Sequence, residues 1–265
     1  GTYNFYKGLQ SASNVLRNYK VNDTQKNWVT IKPYALTDKN IDASYTTKYG
    51  SAYSFKKFGT AKLKNINGDG ELDLRVVGSS ALAPKSSGRV TQAAGENIYN
   101  TVVSLDAIYG ADGFDLKNYT LNGKAIDKNT RMTIDNSASV KKADLVVNVG
   151  NAETVYGTPF DESKYDYAYS TETGKNLVNG DTKDSLATGL GTIKYYNDAA
   201  LNGTTTGRWT KDVGDNYPLT FTDETKDAFN ALNNYNVSFV DGKAKVTPAL
   251  LVIGTKGFTA TYGDV

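Results

Sequence analysis

The dipeptide Tyr-Gly stands at Tyr49-Gly50, Tyr156-Gly157 and Tyr262-Gly263, and its tyrosines are 107 and 106 residues apart. Other phrases recur in the same order. Residues 29–36 read VTIKPYAL, residues 140–145 VKKADL and residues 246–251 VTPALL, with final leucines Leu36, Leu145 and Leu251. Upstream of these lie RNYKV, KNYTL and NNYNV, carrying Tyr19, Tyr119 and Tyr235. A fourth marker, Asn-Gly-Asp, follows the first two Tyr-Gly pairs, in NINGDGEL (65–72) and LVNGDTKDSL (177–186). Asn-Gly accepts positive φ at a tight turn, and Asp bonds its own backbone there.

A period near 106 residues exceeds the roughly 20–50 residues of a solenoid repeat and matches a domain with its own core. The expected boundaries give residues 1–33 as the end of one repeat, 34–142 and 143–248 as two whole repeats, and 249–265 as the first strand of another. The chain is therefore expected to be a segment of a longer protein, its domains strung on short extended joints.

Strand signals dominate: short alternating or β-branched stretches bounded by Gly, Asn and Asp. They cover residues 27–34, 72–78, 143–150, 218–222 and 235–240. Tyr outnumbers Phe by 19 to 9, which suits half-exposed strands, where the ring lies on the sheet and the hydroxyl meets water. One stretch, 222–234, reads as helix. Thr222 is placed to cap it, Asp223 and Glu224 fill the first turn, and Ala228, Phe229 and Leu232 share a face. Shorter helical turns are expected at the corresponding places near residues 9–19 and 109–119. The expected class is mainly β, in tandem β-sandwich-like repeat domains, each with a short helical element, arranged as an elongated rod.

Composition narrows the chemistry. The chain has no Cys and no His. That removes Ser-His-Asp and Cys-His catalysis, thiolate chemistry, disulfides and almost all zinc sites. The net charge of +2 comes with no basic stripe to favour nucleic acid. No apolar run approaches the ~18 residues of a membrane span.

The ordered phrases GTYNF, NYKV, VTIKPYAL, YTTKYG and NGD, continued by NYTL, VKKADL, TVYG and LVNGDT and then by NYNV, VTPALL and TATYG, resemble the MBG and YDG-type repeats of filamentous-haemagglutinin-like bacterial surface adhesins. Those repeats occur in exoproteins of two-partner secretion. The resemblance covers essentially the whole chain. It implies a non-catalytic, exported array displayed at the bacterial cell surface, acting as a stalk in cell or matrix attachment. The family's joining proline is kept at Pro33 and Pro248 but replaced by Lys142, so a looser joint is expected there.

Candidate sites are few. Asn65, Asn67, Asp69, Glu71 and Asp73 resemble the start of an EF-hand calcium loop. However, Asn replaces the first Asp, and Val76 occupies the twelfth position, where a bidentate Glu belongs. The second copy keeps Asn-Gly-Asp without the calcium spacing, so a structural turn is preferred over a calcium site, and no other cofactor is expected. Tyr195, Tyr196, Arg208 and Trp209 form an aromatic and basic group suited to a glycan, a matrix polysaccharide or a host protein; core packing is the plainer explanation. Trp28, the other tryptophan, is expected to be buried at a joint. The acid pairs Asp161-Glu162 and Asp223-Glu224 have the residue types of a glycosidase, but a solvated turn and a helix start explain them better. Sequons at Asn22, Asn118, Asn202 and Asn236 are explained mostly by an Asn- and Thr-rich composition.

Overall fold

The computed structural model describes residues 2–4, 28–30, 32–53, 60–64, 71–82, 88–106, 118–159, 161–197, 208, 211–257 and 259–263. The chain is mainly β and divides into two units. Unit 1 comprises residues 1–47 and 51–141; unit 2 comprises residues 48–50 and 142–265.

Unit 1 opens with a two-stranded antiparallel pair, β1 (Thr2–Asn4) and β2 (Trp28–Thr30). The stretch 27–34 does not form one strand. It breaks before β3 (Tyr34–Leu36), at Pro33, which has no N–H to extend a ladder. The larger sheet contains β4 (Ile41–Asp42), β5 (Tyr45–Lys48), β6 (Thr60–Lys64), β7 (Glu71–Ser79), β8 (Gly95–Ser104) and β11 (Arg131–Lys141), in the order β4-β6-β7-β8-β11-β5. The smaller sheet holds β3, β9 (Tyr119–Leu121) and β10 (Lys124–Ala125). Its β9–β10 hairpin turns on Asn122 and Gly123, both with positive φ. This is the tight turn that Asn-Gly favours. The core is aliphatic, with Leu36, Leu63, Leu74, Val76, Val103 and Leu105 buried.

Unit 2 has a three-stranded sheet of β12 (Ala143–Val149), β14 (Tyr167–Tyr169) and β17 (Tyr235–Val240), with β12 in the middle. A four-stranded sheet runs β13 (Ala152–Val155), β18 (Gly242–Thr247), β16 (Gly214–Phe221) and β15 (Tyr195–Asn197). Along β12 the inward residues are Ala143, Leu145, Val147 and Val149. That is the two-residue alternation of a pleated strand with one face on the core.

Both units contain the same parallel pairing. β3 runs parallel to β9, with Tyr34 opposite Tyr119 and Leu36 opposite Leu121. β12 runs parallel to β17, with Ala143 opposite Tyr235 and Leu145 opposite Val237. The larger sheets correspond as well: β5-β11-β8-β7 in unit 1 parallels β13-β18-β16-β15 in unit 2.

Two α-helices lie among the described residues of unit 2. The helix expected at 222–234 spans Asp223–Asn230 (α2; α1 is Lys183–Leu190), with the Thr222 hydroxyl accepting from the Thr225 amide and acids in its first turn. The apolar face of α2 buries Phe229. The Phe229 ring meets Phe221 of one sheet at 5.3 Å and Tyr167 and Phe239 of the other at 5.5 and 5.7 Å between centroids. Helix α1 is the element that the sequence reading passes over. Its start is marked by a capping box between Thr182 and Ser185, a local signal that lies directly behind the Asn-Gly-Asp turn. The corresponding helical stretches near residues 9–19 and 109–117 fall outside the described residues. Lys142, in place of a joining proline, donates to the Leu232 carbonyl beyond α2 (3.1 Å), and the Ala143 amide donates to Asn234 O (2.8 Å).

Removing the ring that joins both sheets to α2 should be costly. Phe229→Ala is expected to destabilise unit 2 by about 3–5 kcal/mol. Thermal unfolding followed at unit 2 tyrosines should show the loss, while unit 1 amide signals keep their own transition.

Candidate docking site of the Tyr-Gly turn

The described residues that converge most closely in unit 2 are tyrosines and one carboxylate. Asn179 and Gly180 both have positive φ, and the Asp181 amide donates to Val178 O at 3.0 Å. The second Asn-Gly-Asp marker is thus a tight turn that projects Asp181. Tyr235, the first residue of β17, is fully buried beneath it. The Tyr235 hydroxyl accepts from the Val178 amide (3.1 Å) and donates to Asp181 Oδ2 (2.6 Å). A phenol bonded to a carboxylate at this length is a charge-assisted hydrogen bond, stronger than a neutral one.

Residues 48–50, which belong to unit 2, complete the site. Tyr49 is 7% exposed. Its ring stands edge-on to Tyr235 at 5.8 Å and 81°, the T-shaped arrangement that aromatic quadrupoles favour. Its hydroxyl donates to the same Asp181 Oδ2 at 3.1 Å. Lys48 pairs with Asp144 (2.7 Å), whose other oxygen accepts from Asn236 (3.5 Å). The hydrogen bond from Lys48 holds the Asp144 carboxyl below its ordinary range. Both partners are about half exposed, so the pair contributes little.

Gly50 is required on two counts. Its φ is +76°, and a Cβ there would lie 2.2 Å from Val178 Cγ2. Only glycine accepts both the left-handed backbone and this approach. The turns around the first two Tyr-Gly pairs also match locally. Thr47 and Ser51 hydroxyls lie 3.3 Å apart across the first turn, and Thr154 and Thr158 hydroxyls 2.8 Å apart across the second. Gly157 and Gly263 share the positive φ of Gly50.

Burial pushes the Tyr49 and Tyr235 phenols above their ordinary value, and the Asp181 carboxylate adds to the shift. A buried phenolate beside a carboxylate is penalised by desolvation and by like charge. The site holds two phenols that donate and one carboxylate that accepts. This arrangement can hold a turn in place.

The sequence-derived candidates are scattered. Tyr195 is buried, its ring 5.3 Å from Phe221 and 5.7 Å from Tyr165; it packs the core and presents no ring to a ligand. Tyr196, the next residue on edge strand β15, is exposed. Arg208 donates to Gly157 O at 2.7 Å. Trp209 lies outside the described residues. So do Asn65, Asn67 and Asp69 of the calcium-like run; Glu71 and Asp73 are on β7, where Asp73 is ion-paired with Lys62 on β6. Among the described residues no three acidic side chains gather as a metal cage would require. Asp161 caps a 3-10 turn by accepting from Ser163. Glu224 pairs with Lys194 at 2.8 Å. Trp28 is on β2. Asn118 and Asn236 are exposed, and Asn22 and Asn202 lie outside the described residues. Unit 1 has a groove of about 490 Å³, lined by Leu36, Leu121 and Met132 and by Asp38, Arg131 and Asp135.

No protein-family model and no curated protein matches the chain.

Two outcomes follow from the phenol–carboxylate site. Tyr235→Phe strands the partly buried Val178 amide and the Asp181 carboxylate and is expected to cost about 1–3 kcal/mol. Denaturant unfolding of unit 2 should show this loss to exceed that of Tyr49→Phe. The second concerns pH. Both phenols titrate higher in the folded state than in the unfolded chain. Their contribution is therefore complete below pH ~10, the unfolded value, and is lost as pH rises beyond it. Stability measured between pH 8 and 12 should fall in the upper part of this range, and less steeply in the Tyr235→Phe variant.

Proposed function

We propose that this chain is a non-catalytic run of tandem β-sandwich-like domains from a large bacterial surface adhesin, where it acts as a stalk presenting a binding region for cell or matrix attachment. The single observation that carries this reading is the recurrence of one construction in two units: a first strand laid parallel on an Asn-Tyr strand, followed by a Tyr-Gly turn of fixed backbone shape. A stalk needs many similar units, each stable without cofactors, and repetition serves that purpose better than it serves catalysis. The absence of Cys and His from the sequence and the engagement of Asp161 in a turn and Glu224 in an ion pair support the non-catalytic part. The ordered repeat phrases support the adhesin family, and with it an exported, extracellular location.

Display at the surface is tested with antibodies raised against the recombinant chain. Intact producing cells should be labelled, and brief external protease should remove the label. Labelling only after lysis would sink the proposal.

A second reading has its own observation. The groove of unit 1, lined by apolar side chains and by charges of both signs, and the exposed Tyr196 suit a glycan, matrix polysaccharide or host protein bound by the domains themselves. On a glycan and matrix-protein panel this reading expects saturable binding that Arg131→Ala or Tyr196→Ala weakens at least about tenfold. Binding indifferent to both changes would count against it.

A further inference from the structure

We infer that unit 2 carries a docking surface for one further β-unit built like itself, formed by the Tyr156-Gly157 turn and residues 249–253. Large apolar side chains are exposed together here. Leu250 is 90% exposed, Leu251, Val252 and Ile253 are 79% each, and Val155 and Tyr156 are 40% and 46%. The two stretches adjoin: the Tyr156 amide donates to Thr247 O at 2.9 Å, and Val155 pairs with Thr247, directly before residues 249–253 leave β18. Four consecutive exposed apolar side chains, following a strand end that pairs with the half-exposed Val155-Tyr156, mark an interaction site.

The chain itself shows what covers such a surface. Leu36 and Leu145, the counterparts of Leu251, are 2% and 0% exposed. Each lies on a strand laid parallel to an Asn-Tyr strand. Tyr49, the counterpart of Tyr156, is buried against Tyr235 and Asp181. The glycines make the same point. A Cβ on Gly50 would run into Val178, whereas one on Gly157, with nearly the same φ, meets nothing within 4 Å. The second turn already has the shape of the first, and among the described residues it has no acceptor like that of the first.

The occupant is thus specified by its chemistry. It is a β-unit with an exposed Asn-Tyr strand lacking a first-strand partner and with an Asn-Gly-Asp turn above that tyrosine. Ala249 should lie opposite the acceptor's tyrosine and Leu251 opposite the residue two places on, the register of Ala143 and Leu145. The Tyr156 hydroxyl should donate to the acceptor's aspartate. The inference needs the repeat but not display at a surface, so failure of cell labelling leaves it intact.

The test extends the full chain. Joining a second copy of residues 160–265 after Val265 continues the 106-residue period, so that residues 249–265 replace 143–159 as the opening of a third unit. In the extended protein the amides of Leu250–Ile253 are expected to exchange at least about a hundredfold more slowly than in the 265-residue chain. Tyr156→Ala should lower the melting temperature of the added unit by more than it shifts the 265-residue chain. A third unit that folds while residues 250–253 stay unprotected would overturn the inference. So would a third unit that fails to fold here yet folds when residues 143–159 stand in its opening. A third unit indifferent to Tyr156→Ala would remove the turn from the docking surface and overturn it in the form stated.

Discussion

The parallel pairing of one strand in each unit with an Asn-Tyr strand far along the chain is the constraint on which the rest depends. In unit 2, β12 sits between β14 and β17 and buries every second residue. It cannot do so until β17, about ninety residues later, has arrived. Closing so long a loop costs conformational entropy before any contact repays it. The repayment comes from the core that forms over the paired strands: Leu145, Val147, Phe221, Phe229 and Tyr235 are all buried together with them. Tyr235 has a double part. Its backbone sets the register opposite Ala143, and its hydroxyl reads the turn that bears Asp181. One side chain thereby couples the sheet, the Asn-Gly-Asp turn and Tyr49.

Much of this was legible in the sequence because its signals are local. Alternation marked β12, β16 and β17, and the Thr222 cap with its acids marked α2. Asn179-Gly180 announced a tight turn because only a few residues tolerate two successive positive φ values. Other features were hidden because they depend on distant partners. Nothing in the neighbourhood of Tyr49 shows that its hydroxyl meets Asp181, 132 positions away. Tyr195 and Tyr196 are chemically identical neighbours. The strand pleat alone decides that the first faces the core and the second solvent. The Tyr-Gly phrase was visible as a repeat, but the reason for its glycine is steric and lies in Val178.

The Tyr49 and Tyr235 hydroxyls both donate to Asp181, and these shared bonds stabilise one conformation of the turn. The charged pairs of unit 2 that the structure records, such as Lys183–Asp166 at 2.5 Å and Lys245–Glu153 at 3.4 Å, lie at the exposed surface, where they contribute solubility more than stability. The stability of unit 2 resides in its aromatic interior and in the buried phenols beneath the Asn-Gly-Asp turn.

The central claim is that Tyr49 and the Asp181–Tyr235 pair act as one coupled site. A double-mutant cycle between Tyr49→Phe and Asp181→Asn, read by denaturant unfolding of unit 2, tests it most directly. A shared charge-assisted contact predicts a coupling energy of roughly 0.5–3 kcal/mol. Strictly additive losses would contradict the account and reduce Tyr49 to an aromatic side chain that happens to pack nearby.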